Sequence, residues 1–281
     1  MGLTILRKLG AGIALSITLA GCAEMTDAEK NASLGSINVI DATGLNDIML
    51  NLADPNEAVA FFRDSLAADP DRVDLKKGYA QALVQNSQYA EAALIYEQLI
   101  EDGLADSKDR LNYAGALVRN GAWDEARVQL NAIPPTVETF DRYFLEALVA
   151  DHNKEWEKAD NFYDIARGLT TRPAQVFNNW GISKLERGQY SAAEKLFKRA
   201  ISADSKMFTA KNNLVITLGK QGIYRLPVIP MNDKERAILL YNLAREAIRN
   251  GDVDIARGLL ANAIDVHPQH FAPAVELLAS L

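Results

Sequence analysis

The 281-residue sequence has a single cysteine, which excludes an intramolecular disulfide and any zinc site built from several cysteines. Basic side chains are in deficit, because 30 Lys and Arg stand against 37 Asp and Glu, a formal charge of −7. Nucleic-acid binding needs clustered positive charge, so this balance argues against nucleic acid as a partner. Aromatic residues make up only 7% of the chain, and its many alanines and leucines favour helices.

Motifs of catalysis and metal binding are also missing. The sequence has no His-Glu-x-x-His, no Gly-x-Ser-x-Gly and, after the leader described below, no glycine-rich phosphate loop. Of its three histidines, His267 and His270 are three residues apart, but they fall in a turn with no carboxylate at a ligand-like spacing. We therefore expect a protein that is not an enzyme and that uses no metal or cofactor.

Long apolar runs are absent except near the start of the sequence. After Arg7 and Lys8, the residues 9–20 are apolar or small, which is too short for a helix that spans a bilayer. A basic flank followed by a short apolar stretch predicts a secretory signal peptide over residues 1–21. The sequence Leu19-Ala20-Gly21-Cys22 resembles the bacterial lipobox, which implies that Cys22 is lipidated and becomes the N-terminus. The alternative is a free thiol at the end of a signal or transmembrane segment.

The residue after the cysteine bears on localisation. It is Ala23, and in lipoproteins an Asp at this place resembles an inner-membrane retention signal. The resemblance therefore implies the outer membrane, with the body of the protein on the periplasmic face, held by the N-terminal lipid. Residues 22–40 are mostly polar and small, and we expect a lipidated N-terminus followed by a flexible tether.

The rest of the chain repeats with a period of 33 or 34 residues. An alanine recurs at this interval, and four residues after each one stands a large apolar side chain. The alanines are Ala58, Ala92, Ala126, Ala159 and Ala193; the large side chains are Phe62, Tyr96, Leu130, Tyr163 and Phe197. An offset of four places both residues on one helix face. Small residues twelve positions before four of these alanines predict a second helix that packs closely, and glycines such as Gly121 and Gly188 predict the turn between the two helices.

This pattern resembles the tetratricopeptide repeat (TPR) over residues 40–281. The best match runs through Asn179, Trp180, Gly181, Gly188, Tyr190, Ala193, Phe197 and Ala200. We therefore predict an all-α fold, a TPR-type α-solenoid of about six helix pairs, with repeats over residues 41–223 and a C-terminal pair and terminal helix over residues 232–281. Two departures stand out: Glu146 occupies an apolar position, and one period is shortened beside Pro134 and Pro135. The terminal helix either packs on the last pair or contacts a partner.

One repeat is interrupted near its second helix. The position 34 residues after Ala193 is Pro227, and Pro230 follows closely, so a regular helix is excluded there. We expect an irregular crossover over residues 224–231. It is either a linker or an exposed or partner-covered extended segment that presents Leu226, Val228 and Ile229.

The resemblance implies that the first helices of the pairs line a concave, peptide-binding groove. Our groove candidates are Lys77, Gln81, Arg119, Asn178, Glu186, Asn212 and Lys220. We assign Asn179 and Asn213 to helix–helix contacts, and Trp123, Trp156 and Trp180 to the core.

The sequence combines a lipobox, a tether, helix pairs and a proline interruption. This layout resembles that of the TadD-type TPR lipoproteins of tight-adherence (Flp pilus) assembly systems. The resemblance implies a scaffold that binds polypeptide partners, the secretin or other pilus-assembly proteins, and that acts as a pilotin for the secretin. The alternatives are an adaptor for another envelope machine, such as peptidoglycan enzymes or outer-membrane protein assembly, and an enzyme whose catalytic residues carry no recognisable motif.

Overall fold

A computed structural model describes residues 44–281. The predicted signal peptide, Cys22, the tether and residues 41–43 lie outside the described residues. Within residues 44–281 the chain forms fourteen α-helices and no strand. The helices are α1 Leu45–Leu52, α2 Pro55–Ala68, α3 Val73–Gln85, α4 Tyr89–Glu101, α5 Ser107–Arg119, α6 Trp123–Asn131, α7 Phe140–His152, α8 Trp156–Gly168, α9 Ala174–Glu186, α10 Tyr190–Ala203, α11 Phe208–Lys220, α12 Asp233–Asn250, α13 Val253–Val266 and α14 Ala272–Ala279.

The helices form six consecutive pairs with two single helices among them. The pairs are α1–α2, α3–α4, α5–α6, α7–α8, α9–α10 and α12–α13, while α11 and α14 have no second helix. Each helix packs on its neighbours in the chain, and the first helices α3, α5, α7, α9 and α11 also contact one another in succession. This arrangement confirms the predicted all-α solenoid of about six pairs.

The repeated alanines explain why the helices pack so closely. Ala58, Ala92, Ala126, Ala159 and Ala193 are all fully buried. The side chains four residues later are buried with them, and each aromatic ring buried in this way contributes about 1.5–3 kcal/mol to folding. The 33-to-34-residue pattern therefore describes a chain of small cores, each shared by neighbouring pairs.

The turns after five successive first helices share one backbone conformation. Five turn residues that follow one another at the repeat interval all have φ between 59° and 80°: Ser87, Gly121, Lys154, Gly188 and Gly222. Glycine adopts this left-handed conformation freely, whereas Ser87 and Lys154 adopt it at a cost on the order of 1 kcal/mol. The turn geometry is thus imposed by the packing of the pairs even where the sequence lacks glycine.

The two departures from the repeat have one structural cause. Helix α6 has only nine residues, and the loop after it carries Pro134 and Pro135. Arg142 donates hydrogen bonds to the Pro134 and Val137 carbonyls at 2.7 and 3.2 Å and to the Glu146 carboxylate at 2.9 Å. Glu146 therefore stands at an apolar position because it holds the arginine that closes the shortened loop.

The crossover joins α11, which ends at Lys220, to α12, which begins at Asp233. Leu226 and Ile229 pack inward against two neighbouring clusters of the core. Val228 is fully exposed. The segment is therefore an irregular cover in place of a second helix, and it presents Val228 to solvent.

The C-terminal helix packs on the solenoid. Leu277, Leu278 and Leu281 contact the apolar cluster that α12 and α13 form. Of the two alternatives for this helix, the structure shows the packed one. Within residues 44–281, no helix is both long and apolar enough to cross a membrane.

Candidate functional site: a concave groove

A groove crosses four successive first helices, α3, α5, α7 and α9. It contains a cavity of about 520 Å³, which is in the range of protein ligand sites. The cavity lining from these helices is Gln81, Val84, Gln85, Lys108, Leu111, Asn112, Gly115, Val118, Arg119, Asp141, Phe144, Leu145, Leu148, Gln175 and Asn179. First helices contribute to it because their side chains face the inner side of the stacked pairs.

Gly115 creates space in the middle of the groove. A Cβ at this position would lie 3.4 Å from Arg119 Nη1 and 3.8 Å from Leu145 Cδ1, with no backbone atom nearby. Because Gly115 has no side chain, α5 leaves this part of the groove open. Both neighbours are ends of side chains, so a Cβ here makes ordinary contacts, and a larger side chain would extend from it into the groove.

Five amide side chains line the groove, alongside the charged Lys108, Arg119 and Asp141. The amides are Gln81, Gln85, Asn112, Gln175 and Asn179, from three helices. A primary amide offers both donors and an acceptor, which matches the alternating N–H and C=O groups of a polypeptide backbone. Gln85 Nε2 already donates to the Leu50 carbonyl and Asn179 Nδ2 to the Gln175 carbonyl, each at 2.9 Å, so these two amides keep one N–H and the carbonyl oxygen for a partner. Apolar side chains such as Leu145 and Leu148 lie between them. This combination suits a polypeptide better than a small charged metabolite.

A smaller cavity of about 300 Å³ continues the groove toward the C-terminal ends of α7 and α9. Leu148 and Asn179 line both cavities, so the two are continuous. Here the Trp123 ring stacks on His152 with centroids 4.3 Å apart and planes 9° apart. The tryptophans predicted as core are half-buried, and Trp123 and Trp156 also line this cavity.

Comparison with known proteins bears on this architecture. Family models described as tetratricopeptide repeat match residues 52–109 and 241–278. The fold is a tetratricopeptide-repeat solenoid. A comparison with curated proteins found no significant match.

Solved structures with this fold resemble the chain at low identity. A TPR protein from Parabacteroides merdae ATCC 43184 is 13% identical with a TM-score of 0.56, and the match covers 86% of this chain and 96% of that one. A chain of the APC/C hetero-tetramer Cut9-Hcn1 is 12% identical with a TM-score of 0.60, covering 84% of this chain and 47% of that one. MamA from Desulfovibrio magneticus RS-1 is 14% identical with a TM-score of 0.50, covering 59% and 94%. This chain spans about half the length of the matched Cut9-Hcn1 chain, and at these identities the likeness shows the TPR fold alone.

Two of the predicted groove residues, Gln81 and Arg119, line the groove of the TPR solenoid. Arg119 is exposed on the last turn of α5. Its Nη1 donates to the Gly115 carbonyl at 3.2 Å, and its Cζ lies 5.8 Å from the Tyr89 ring centroid. The guanidinium is thus held at the edge of the groove by its own helix and by α4.

The prediction for the paired asparagines was wrong for Asn178, Asn179 and Asn212, whereas Asn213 makes the helix–helix contact that we assigned to it. Asn178 is buried, and its Oδ1 accepts a hydrogen bond from Asn213 Nδ2 at 3.1 Å, which joins α9 to α11. Asn212 likewise accepts from Asn242 Nδ2 at 2.6 Å and joins α11 to α12. Asn179, which we had assigned to helix contacts, lines the groove. One residue along a helix is a rotation of about 100°, so in α9 this error exchanges the roles of the two neighbours.

Lys77 lies between two repeats and outside the groove cavity. Its Nζ lies 2.6 Å from Asp109 Oδ2 and 3.6 Å from Asp106 Oδ2, at the start of α5. The hydrogen bond to Asp109 raises the pKa of Lys77. Its place is therefore a bridge between α3 and α5 and not the lining we predicted.

The last two candidates lie farther along the solenoid. Glu186 is exposed at the end of α9 and lines the smaller cavity. Lys220 is exposed at the end of α11 and lines neither cavity. Both follow the position of Arg119 in later repeats.

A polar network lies behind the groove and fixes α8 against α9. Asp160 accepts from Trp180 Nε1 at 2.6 Å, from Lys184 Nζ at 2.7 Å and from Arg187 Nη2 at 2.7 Å. Burial alone would raise the pKa of Asp160, but the hydrogen bonds from Arg187, Lys184 and Trp180 outweigh it and lower this pKa to about 2. The network positions the helix that carries Gln175, Asn179 and Glu186.

A second carboxylate, the half-buried Asp151, supports the same two helices. Asp151 accepts hydrogen bonds from Ser183 Oγ and from the Tyr163 hydroxyl, the latter at 3.2 Å. Burial raises the pKa of Asp151 despite these two donors. Both donors are already used by the carboxylate, so the arrangement is structural.

Among residues 44–281, no group of three or more His, Asp and Glu side chains could hold a metal ion. The imidazole of His267 contacts the Gln269 backbone within a turn and stacks on the Phe271 ring, with the ring centroids 4.8 Å apart. The groove chemistry is that of hydrogen bonding and apolar contact.

Several groove residues were missed by sequence reasoning. Asn112, Gly115 and Gln175 line the cavity. Their repeat positions carry the signal that could have found them, because Asn112 and Asn179 lie at the same place two repeats apart, 67 residues from each other. Applying one groove position to every repeat would have selected both.

Proposed function

We propose that this protein is a lipid-anchored scaffold on the periplasmic face of the outer membrane, where its groove binds polypeptide partners during assembly of a Flp/Tad pilus secretion system. The observation that carries the binding role is the groove itself, with five amide side chains around an apolar floor. TPR solenoids are scaffolds for protein–protein interactions, which supports this role. Such folds typically carry no catalytic centre.

The membrane anchor and the pilus assignment rest on the sequence. Cys22 in its lipobox supports lipidation, and Ala23 supports the outer membrane. Anchoring would confine the groove near membrane partners and raise its effective concentration for them. The layout of lipobox, tether and interrupted repeats supports a pilotin role, in which the protein helps the secretin to localise or multimerise.

Two glycines allow the groove to be blocked with a matched control. Gly115→Phe fills the groove, whereas Gly258→Phe places the same side chain in open space on α13, where nothing lies within 4 Å of a Cβ. In cells of the source organism, we expect Gly115→Phe and Cys22→Ala each to reduce secretin multimers in the outer membrane. Gly258→Phe should leave them unchanged.

The same strains separate the competing functions. Normal secretin multimers in the Gly115→Phe strain would exclude the pilotin role. A simultaneous defect in peptidoglycan remodelling or outer-membrane protein assembly would favour the adaptor alternative. Mass spectrometry of the N-terminal peptide tests the anchor directly, because the proposal requires acyl groups on Cys22.

A further inference from the structure

One edge of the groove is built from the same position of successive first helices. The residues in this edge row follow one another at intervals of 33 or 34 and are Gln85, Arg119, His152, Glu186 and Lys220. The first two line the larger cavity, and His152 and Glu186 line the smaller one. The edge row is therefore continuous with the groove from α3 to α9.

The edge row has three charged residues, Arg119, Glu186 and Lys220, and the two that line a cavity, Arg119 and Glu186, have no counter-charge among residues 44–281. Arg119 makes no ion pair with any carboxylate of residues 44–281, and its hydrogen bond goes to the Gly115 carbonyl. Glu186 is exposed and has neither a hydrogen bond nor an ion pair within the same part of the chain. By contrast, Lys77 and Asp160, which lie behind the groove, are each paired at 2.7 Å or less. The edge row thus presents one positive and one negative group along the two cavities, while Lys108 and Asp141, in the first turns of α5 and α7, are further charged residues that line the larger cavity.

The surface between these charges carries aromatic and apolar side chains, together with Asp151 and Lys154. His152 occupies the intervening position of the edge row and stacks on Trp123, and Leu148 lies beside it. Arg119 and Glu186 are two repeats apart, and two helix spacings of roughly 10 Å place them about 20 Å from each other. An extended chain covers that distance in about six residues at ~3.3 Å each.

We infer that the groove selects an extended segment that carries an acidic and a basic side chain about six residues apart, with apolar residues between them. The acidic group pairs with Arg119 and the basic group with Glu186. The segment is extended because the groove amides need free backbone N–H and C=O groups, which a helix would already have satisfied. This inference rests on the proposed peptide-binding role and specifies its partner.

A displayed library of random ten-residue peptides, selected on the full-length protein, tests the inference. We expect enriched peptides to carry one acidic and one basic residue at a separation of about six. The variant with both Arg119→Glu and Glu186→Arg should select peptides with the two charges exchanged. For one synthesised wild-type peptide, each reversal should lower affinity by about fivefold, the effect of one partly exposed ion pair. Lys220→Glu, farther along the same row, should change affinity little.

Each outcome decides a separate point. In one outcome, the selected peptides bind wild type but not Gly115→Phe, and the exchanged variant selects peptides with the same charge pattern as wild type. This result would overturn the charge selection and leave the groove function intact. If no selected peptide depends on Gly115, the groove function and this inference both fail. Enrichment of peptides with two acidic or two basic residues would also overturn the inference.

Discussion

Phe197 lies directly against the backbone of Gly181. A Cβ built on Gly181 would come within 2.6 Å of Phe197 Cε1, closer than real Cβ contacts allow. The two residues belong to the paired helices α9 and α10, and Phe197 is fully buried. The ring therefore occupies the space that any other residue at position 181 would need.

Gly181→Ala should lower the free energy of unfolding by about 1–3 kcal/mol, because the buried ring cannot move away without disturbing its neighbours. Gly115→Ala is the matched control, since its Cβ meets only side-chain ends at 3.4 Å or more. Alanine is the better helix former, so this control should be neutral or stabilising by up to about 1 kcal/mol. Urea denaturation followed by circular dichroism measures both. Equal effects would contradict the packing argument.

Asp160 makes stability depend on pH in the acidic range. Its pKa falls from 3.8 to about 2 on folding, so its contribution is complete above pH 4 and is lost as pH falls from about 4 toward 2. We expect Asp160→Asn to cost about 1–2 kcal/mol at pH 7 after allowance for partial exposure, and to flatten the fall in stability below pH 4. Unfolding free energies measured from pH 7 to pH 3 check both effects.

Asp164 provides the control for that experiment. It pairs with Arg167 at 2.7 Å, but both side chains are exposed. Asp164→Asn should cost less than about 0.5 kcal/mol. A loss as large as that of Asp160→Asn would show that the buried network has no special role.

Two equivalent tyrosines should respond oppositely to removal of the hydroxyl. Tyr96 is fully buried, and its hydroxyl has no well-formed hydrogen bond within residues 44–281 and only a weak interaction with the Asn112 side chain. Tyr163, two repeats later, donates to Asp151. Tyr96→Phe should be neutral or stabilising, because it removes a poorly satisfied polar group, whereas Tyr163→Phe should cost about 1 kcal/mol. Thermal unfolding of the two variants gives the comparison, and a larger loss for Tyr96→Phe would contradict it.

The helix pairs could be predicted from the sequence because the spacing of alanine and a large apolar residue has one simple packing solution. Ala193 and Phe197 illustrate this, since both are buried where the repeat predicts. The irregular crossover could also be predicted from the sequence, because Pro227 cannot occupy the interior of a helix.

The groove lining was harder to predict. The repeat defines which helices face inward but leaves their rotation uncertain by a residue, which is why Asn178 and Asn179 were exchanged. Lys77 was misplaced for a different reason. Its partner Asp109 comes from the next repeat, and such pairing between repeats leaves no periodic signal.

The central claim is that the concave groove holds another polypeptide, and site-specific photo-crosslinking in intact cells tests it most directly. A photoreactive amino acid would replace Asn112 in the groove and, as the control, Leu94, which is exposed on α4 and lines no part of the groove. We predict that position 112 crosslinks to a discrete polypeptide, that Gly115→Phe removes the product, and that position 94 gives none. Crosslinks from position 94 alone, or a product at position 112 that persists with Gly115→Phe, would contradict the account.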